Sequence, residues 1–368
     1  MIGQWWWTVD RWTLLVVVTL ALGGVVFSLA ASPPVANRLG LDSYHFVYRQ
    51  LTFLAPTAVL LVGASLLSPR GVRRLAALVL LGGISLMVLT LFVGPEVKGA
   101  HRWLFLGPFS VQPSEFVKPA FVVLAAWLFA EGANNKNVPG NAISACLFGI
   151  FLVLLVLQPD FGQAVLVSTV WGAMFFLSGV SWPWIGGMTS FGFAGLFAAY
   201  SFVPHVASRI DRFLDPENGD TFQIDKATDA FANGGMFGMG PGEGRIKQII
   251  PDAHTDFVFA VLAEEFGLVL CLIVIGLFCV IVMRGLLMTI NESDAFVQLA
   301  AAGLTILFGL QAVINMAVNL SLLPAKGMTL PFLSYGGSSL LSLALTIGML
   351  LALTRRRASY GFGMDAPT

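Results

Sequence analysis

Charge is what this chain has least of. Only 11% of its 368 residues are Asp, Glu, Lys or Arg, where a soluble globular chain carries roughly 25%. That scarcity excludes a soluble fold; the balance of 20 basic against 20 acidic residues says little in a membrane protein, where the distribution of charge matters more than its sum, and nucleic acid is not an expected partner. Cysteine is scarce as well. Cys146, Cys271 and Cys279 all lie in apolar runs without CxxC spacing, so they read as small hydrophobes rather than as bridges or metal ligands. Nor is any polar stretch long enough to form a soluble domain of its own. Apolar sequence makes up 57% of the chain, at a mean hydropathy of +0.83.

Runs near the roughly 17 to 25 residues that cross a bilayer fall at Trp12–Ala31, Leu51–Leu67, Leu75–Val93, Ser114–Ala130, Ala142–Leu157, Phe161–Gly179, Trp184–Val203, Phe257–Met283, Phe296–Leu322 and Ser334–Thr354. They predict an all-α polytopic membrane protein with about ten transmembrane helices, read as one domain over residues 1–368. The first run ends in "SLAAS" but exceeds the length of a signal-peptide core, so it reads as a retained anchor with Trp5, Trp6 and Trp7 at the interface. Basic residues at Arg11, Arg70 to Arg74, Lys136, Arg284 and Arg355 to Arg357 fall on one side of a ten-span chain. The positive-inside rule makes that side cytoplasmic. Both termini are then inside, and the longest loop, about Pro204 to Thr255, faces outward.

The polar residues gather in five segments. In "IIPDAHTDFVFAVLAEE" (Ile249 to Glu265), His254, Thr255 and Asp256 open an apolar helix, and Glu264 lies about 12 Å deeper along it. Asp256 could serve only as a helix cap. Acids at membrane depth, however, usually face a watery cavity or a partner, and Glu264 and Glu265 cannot both share one face. In "KGAHRWLFLGPFSVQPSEFVKPA", Gln112 precedes a helix start, Glu115 and Lys118 stand three apart, and Lys98, His101 and Arg102 lie just outside. Glu115 and Lys118 read either as a local ion pair or as a fixed positive charge for phosphate or carboxylate. "QPDFG" is a tight turn in which Asp160 could cap the next helix. The long loop holds Arg209 and Arg212, then "GGMFGMGPGEGRIK" with Lys247. This run is either a phosphate cradle or a flexible crossing, and it lacks the Walker spacing. Last, "LPAKGMTLPFLSYGGSS" brings Ser334 and Ser338 to a Pro/Gly loop that either lines a cavity or simply turns.

Taken in chain order, the five segments resemble the motif set of the SEDS family, proteins of bacterial shape, elongation, division and sporulation. The resemblance spans nearly the whole chain and is closer to the division branch than to the elongation branch. Asp252 stands where the family usually has Glu. The resemblance implies a peptidoglycan glycosyltransferase of the cytoplasmic membrane, placed at the division septum, that polymerises lipid II into a lipid-linked glycan at the outer face. It implies as partners a class B penicillin-binding protein, an FtsI-like transpeptidase, and other membrane proteins of the division machinery. The essential acid falls on Asp256, with Glu115 and Lys118 facing the same cavity.

Joining an α-linked lipid-linked donor into a β-linked glycan is an inversion, which needs one base and no covalent intermediate. Asp256 is the candidate base. Pyrophosphate leaves readily once its charge is neutralised, and Lys118, Arg102, Arg209 and Arg212 are the candidate cations. No cofactor is assigned, and a divalent cation (Mg or Mn) near Asp256 is left open. Two other readings compete. A proton-coupled carrier or lipid II flippase also uses intramembrane acids with a Lys partner, but the polar groups here concentrate on the outer side. A non-catalytic division scaffold would leave the Asp256 cluster unexplained.

Overall fold

The structure, a computed structural model, describes residues 2–355 apart from 98, 108, 180–181, 203–206, 209–210, 212–221, 251, 291 and 325–326. Its elements are α1 (Ile2–Thr8), α2 (Arg11–Arg38), α3 (His45–Ser65), α4 (Pro69–Val93), a hairpin of β1 (Leu104–Leu106) and β2 (Phe109–Val111), α5 (Pro113–Asn134), α6 (Gly140–Leu157), α7 (Phe161–Leu177), α8 (Trp182–Phe202), α9 (Phe222–Gly234), a 3-10 turn (Ile246–Gln248), α10 (Val258–Ile290), α11 (Ala295–Asn319) and α12 (Gly337–Thr354). Among the described residues, eight of these helices are long and apolar enough to cross a membrane. The shorter apolar α7 and the 21-residue α8 account for the other two expected spans.

Helices α5, α11 and α12 are buried over most of their circumference, whereas α3, α4, α6 and α10 turn most of theirs outward. The inner three therefore form the axis of the bundle, with α5 packed on α4, α6, α7 and α11, and α12 packed on α3 and α11. Small residues allow the close approaches. A methyl group on Gly348 of α12 would fall 2.7 Å from the Leu61 carbonyl of α3, and one on Gly83 of α4 would fall 2.4 Å from Val117 of α5. At the end of the bundle where α2 begins, Arg284 grips Asp10 through Nε (2.9 Å) and Nη2 (2.5 Å), and Asp10 also caps α2 at Thr13.

The long loop and the helix that follows it each hold a feature that the apolar pattern does not show. Residues 222–234 form the amphipathic helix α9, which packs on α10 through rings such as Phe231 and Phe259 (5.7 Å between centroids). More consequentially, α10 is interrupted at Gly267, whose φ of 80° and ψ of 178° are not helical. The interruption frees backbone groups that must be paired when buried. The glycine-rich run supplies the partners: Met239 N–H donates to the Glu264 carbonyl (2.9 Å) and Gly240 N–H to that of Glu265 (3.0 Å), while Leu268 and Val269 N–H donate to the carbonyls of Gly235 (2.9 Å) and Met236 (3.2 Å).

That run therefore works as a plug fitted into a broken helix. A methyl group on Gly267 would lie 2.4 Å from Gly238 N and 2.5 Å from Met236 O. Gly267→Ala is expected to destabilise the protein by roughly 1–3 kcal/mol, the cost of holding an ordinary residue in a glycine-only conformation. Thermal unfolding in detergent measures it. An unchanged midpoint would mean that the plug yields freely.

Candidate active site

Asp256 sits at the end of the bundle where α10 begins. The preceding turn starts at Asp252, itself at φ 55°, whose carbonyl accepts from Thr255 N–H (3.0 Å) and Asp256 N–H (3.1 Å). Thr255 adds its hydroxyl to the same carbonyl at 3.2 Å. Asp256 is half-buried and lies two residues before the first helical position, Val258. Asn319 serves the new helix end, its Oδ1 accepting from Ala260 N–H at 3.1 Å. The Asp256 carbonyl in turn accepts from Asn315 Nδ2 (3.0 Å) and Asn319 Nδ2 (2.9 Å). Residue 327 closes over the carboxyl, since a methyl group on Gly327 would lie 3.4 Å from Asp256 Oδ2. His254 is buried, with its ring near Phe46 (4.5 Å) and Tyr335 (5.5 Å) and its carbonyl bound by Tyr335 N–H at 2.9 Å.

A buried ion pair lies deeper in the bundle. Lys118 Nζ donates to Glu115 Oε1 (3.0 Å), Gln163 Oε1 (2.8 Å) and Gln311 Oε1 (3.4 Å). Gln163 returns its own amide to Glu115 Oε1 at 2.7 Å. The pair is 2% and 5% exposed at Lys118 and Glu115, so it lies inside the protein and not on its surface. Gln311 continues the chain outward, reaching the Thr329 carbonyl (3.3 Å), and the Thr329 hydroxyl meets that of Ser339 at 2.6 Å.

The "QPDFG" turn is held by side chains from three directions. Gln158 Nε2 reaches Thr90 Oγ1 (2.6 Å) and the Met87 carbonyl (3.2 Å) of α4. Arg102 Nε donates to the Gln158 carbonyl at 2.8 Å, its Nη2 donates to that of Pro159, and Nη1 lies 3.7 Å from Asp160. Arg102 is thus engaged as a clamp on the turn, a use that the pyrophosphate expectation did not foresee. Asp160 makes no regular capping bond to α7; its Oδ2 accepts from Gln112 Nε2 at 3.2 Å. Burial pushes the Asp160 carboxyl above its ordinary range, against the opposing pull of Arg102.

The remaining expected site residues divide by position. Glu264 accepts three successive amides, those of Arg245 (2.7 Å), Ile246 (2.8 Å) and Lys247 (3.0 Å). Three consecutive N–H groups form an anion-binding nest, and the chain's own carboxylate occupies it. Lys247 Nζ pairs with Glu265 and the Ala30 carbonyl inside the protein. A structural task therefore replaces the expected phosphate contact of Lys247, and both glutamates have partners in the loop. Ser334 accepts from Leu330 N–H (2.8 Å), while Ser338 accepts from Gln112 N–H (3.1 Å) and donates to the Ser110 carbonyl (2.9 Å). Both hydroxyls fasten backbone. Lys98, Arg209 and Arg212 lie outside the described residues. Among the described residues, no group of three or more His, Cys, Asp or Glu side chains gathers as a metal cage.

Gln163, Gln311, Asn315 and Asn319 went unnoticed in the sequence. The signal was available for three of them, as "QAVINMAVN" spaces its amides four apart along an otherwise apolar helix.

The fold and site together define a multi-pass membrane protein with a polar site at one end of its helix bundle, floored by a buried ion pair. The chain belongs to the FtsW/RodA/SpoVE family of cell cycle proteins, whose family model matches residues 11–359. It is 47% identical to the probable peptidoglycan glycosyltransferase FtsW of Caulobacter vibrioides (strain NA1000 / CB15N), over 98% of this chain and 95% of the relative. Its identity to the protein of the same name from Trichlorobacter lovleyi (strain ATCC BAA-1151 / DSM 17278 / SZ) is 36%, over 94% and 93%. Among solved structures, a chain of a peptidoglycan synthase complex that coordinates polymerization and crosslinking superposes with a TM-score of 0.78 at 29% identity, covering 94% of this chain and 97% of that one. The rod shape determining protein RodA of Thermus thermophilus follows at 0.70 and 28%, covering 94% and 96%.

Proposed function

We propose that this protein is a peptidoglycan glycosyltransferase of cell division, polymerising lipid II at the outer face of the bacterial cytoplasmic membrane and acting at the septum. The observation that carries the reading is the 47% identity over 98% of the chain to a relative of that name, met here by a half-buried carboxylate at the mouth of an apolar bundle. Asp256 takes the proton from the attacking sugar hydroxyl as the anomeric carbon inverts and the lipid pyrophosphate departs. Lys118, shared among Glu115, Gln163 and Gln311, supplies positive potential beneath the departing group. A buried cation acts more strongly there than it would in water. The similarity to a chain of a complex that couples polymerization with crosslinking supports a class B penicillin-binding protein as partner.

A lipid II flippase is the competing reading, and the interrupted α10 is the feature that favours it, because carriers build their sites on broken helices. Here, though, the freed backbone groups are taken by residues 235–240 of the same chain. Purified protein with its partner, given lipid II, makes glycan chains if the proposal holds. Transfer of lipid II across liposomes without polymer would overturn it.

Orientation has its own test. With both termini inside, α9 lies outside and the α5–α6 connection inside. A cysteine at the exposed Asp229 is expected to react with an impermeant reagent on whole cells, and one at the exposed Lys136 only after lysis. Labelling of both on intact cells would refute the ten-span topology.

A further inference from the structure

Gln311, Asn315 and Asn319 stand four apart on α11, and the helix geometry aligns them in one row about 6 and 12 Å long. All three are buried. Amides at membrane depth are costly unless hydrogen-bonded, and each of these reaches a different part of the site. Gln311 joins the Lys118 ammonium to Thr329, and Asn315 joins the Asp256 carbonyl to that of Met328 (2.5 Å). Asn319 holds the Asp256 carbonyl and, through Oδ1, the Ala260 amide in the first turn of α10. Two N–H donors on one carbonyl oxygen fill both of its lone pairs and fix the peptide that carries the aspartate.

We infer that Asn315 and Asn319 are positioning residues for the reaction: their row on α11 sets the direction of the Asp256 side chain and its separation from Lys118 and the 327–329 loop. The inference rests on Asp256 being the base. Both amides are buried and bonded to backbone groups of the protein. Their loss would release the Asp256 carbonyl from both donors, and a misplacement of about 1 Å can cost on the order of 10²-fold in rate.

The test is a double-mutant cycle. Asn315→Leu and Asn319→Leu are each made alone and together with Asp256→Asn, and lipid II polymerisation is followed as kcat and KM beside thermal unfolding and partner binding. Alone, each is expected to lower kcat by about 10²-fold with KM unchanged; in the Asp256→Asn background each is expected to add no further loss. The same proportional loss in both backgrounds would assign the amides a merely structural role, and an undiminished kcat would assign them none; either overturns the inference. Should the leucine variants not accumulate folded, Asn315→Ser and Asn319→Ser, which leave room for a bridging water, are put through the same cycle and judged by the same outcomes. Normal polymerisation by Asp256→Asn alone would instead remove the base reading. Active amide variants beside an inactive Asp256→Asn would remove only the positioning role.

Discussion

Asp256→Asn is expected to insert, fold and bind its partner as the parent does while losing lipid II polymerisation by roughly 10²- to 10⁴-fold, the usual contribution of a general base. The fold should tolerate the change for a specific reason. The contacts from Asn315 and Asn319 are made to the Asp256 backbone carbonyl, and the start of α10 is served by Asn319, so the side chain can change without releasing either. Asn also keeps the volume and the capping ability of Asp. Single-turnover polymerisation by the purified variant, beside its thermal midpoint, separates the two effects. Near-parental polymer yield would leave Asp256 a fold residue and send the search for the base to Asp160.

The second large effect concerns the buried pair. Lys118→Ala is expected to destabilise the protein by about 3–5 kcal/mol, because it strands the buried Glu115 carboxylate, whose Oε2 has no hydrogen-bond partner among the described residues. Loss of activity in that variant alone would therefore say little about chemistry. Lys118→Met combined with Glu115→Gln removes both charges and keeps the volume, and replacing a buried pair in this way is often neutral for stability. The double variant should unfold close to the parent yet polymerise poorly, since the positive potential beneath the leaving group is gone. Parental activity in a well-folded double variant would show the pair to be structural only.

Much of the architecture was legible because bilayer span length is a strong one-dimensional signal. Each of the ten apolar runs corresponds to a helix, and the Gln112-Pro113 start of α5 is found where proline fits at the first helical position. Asp256 was legible for a different reason, as acid next to grease stands out in any window. The interruption at Gly267 was hidden. Its flanks, "AVLAEEFGLVLC", read as one continuous helix, and only the plug from residues 235–240 makes the break affordable. The tasks of Lys247, Arg102 and Ser338 were equally invisible, since each is decided by carbonyls or carboxylates that are distant along the chain. The amide row of α11 shows in the sequence only as a spacing of four within an apolar run, a fainter signal than an isolated charge.

The interruption of α10 also bears on how the chain is made. Leu268–Ile290 alone, about 34 Å at 1.5 Å per residue, suffices to cross the hydrocarbon, and it leaves the stretch from Val258 to Phe266, with its two glutamates, as a separate short arm. An insertion machine reading hydrophobicity would commit the first part to the lipid and has no reason to commit the second. The arm finds its pairing only once Met239 and Gly240 are beside it and α11 stands ready with Asn319. Seating of the aspartate should thus be among the last events of biogenesis, so that a nascent chain still lacking its final helices is born without a working site.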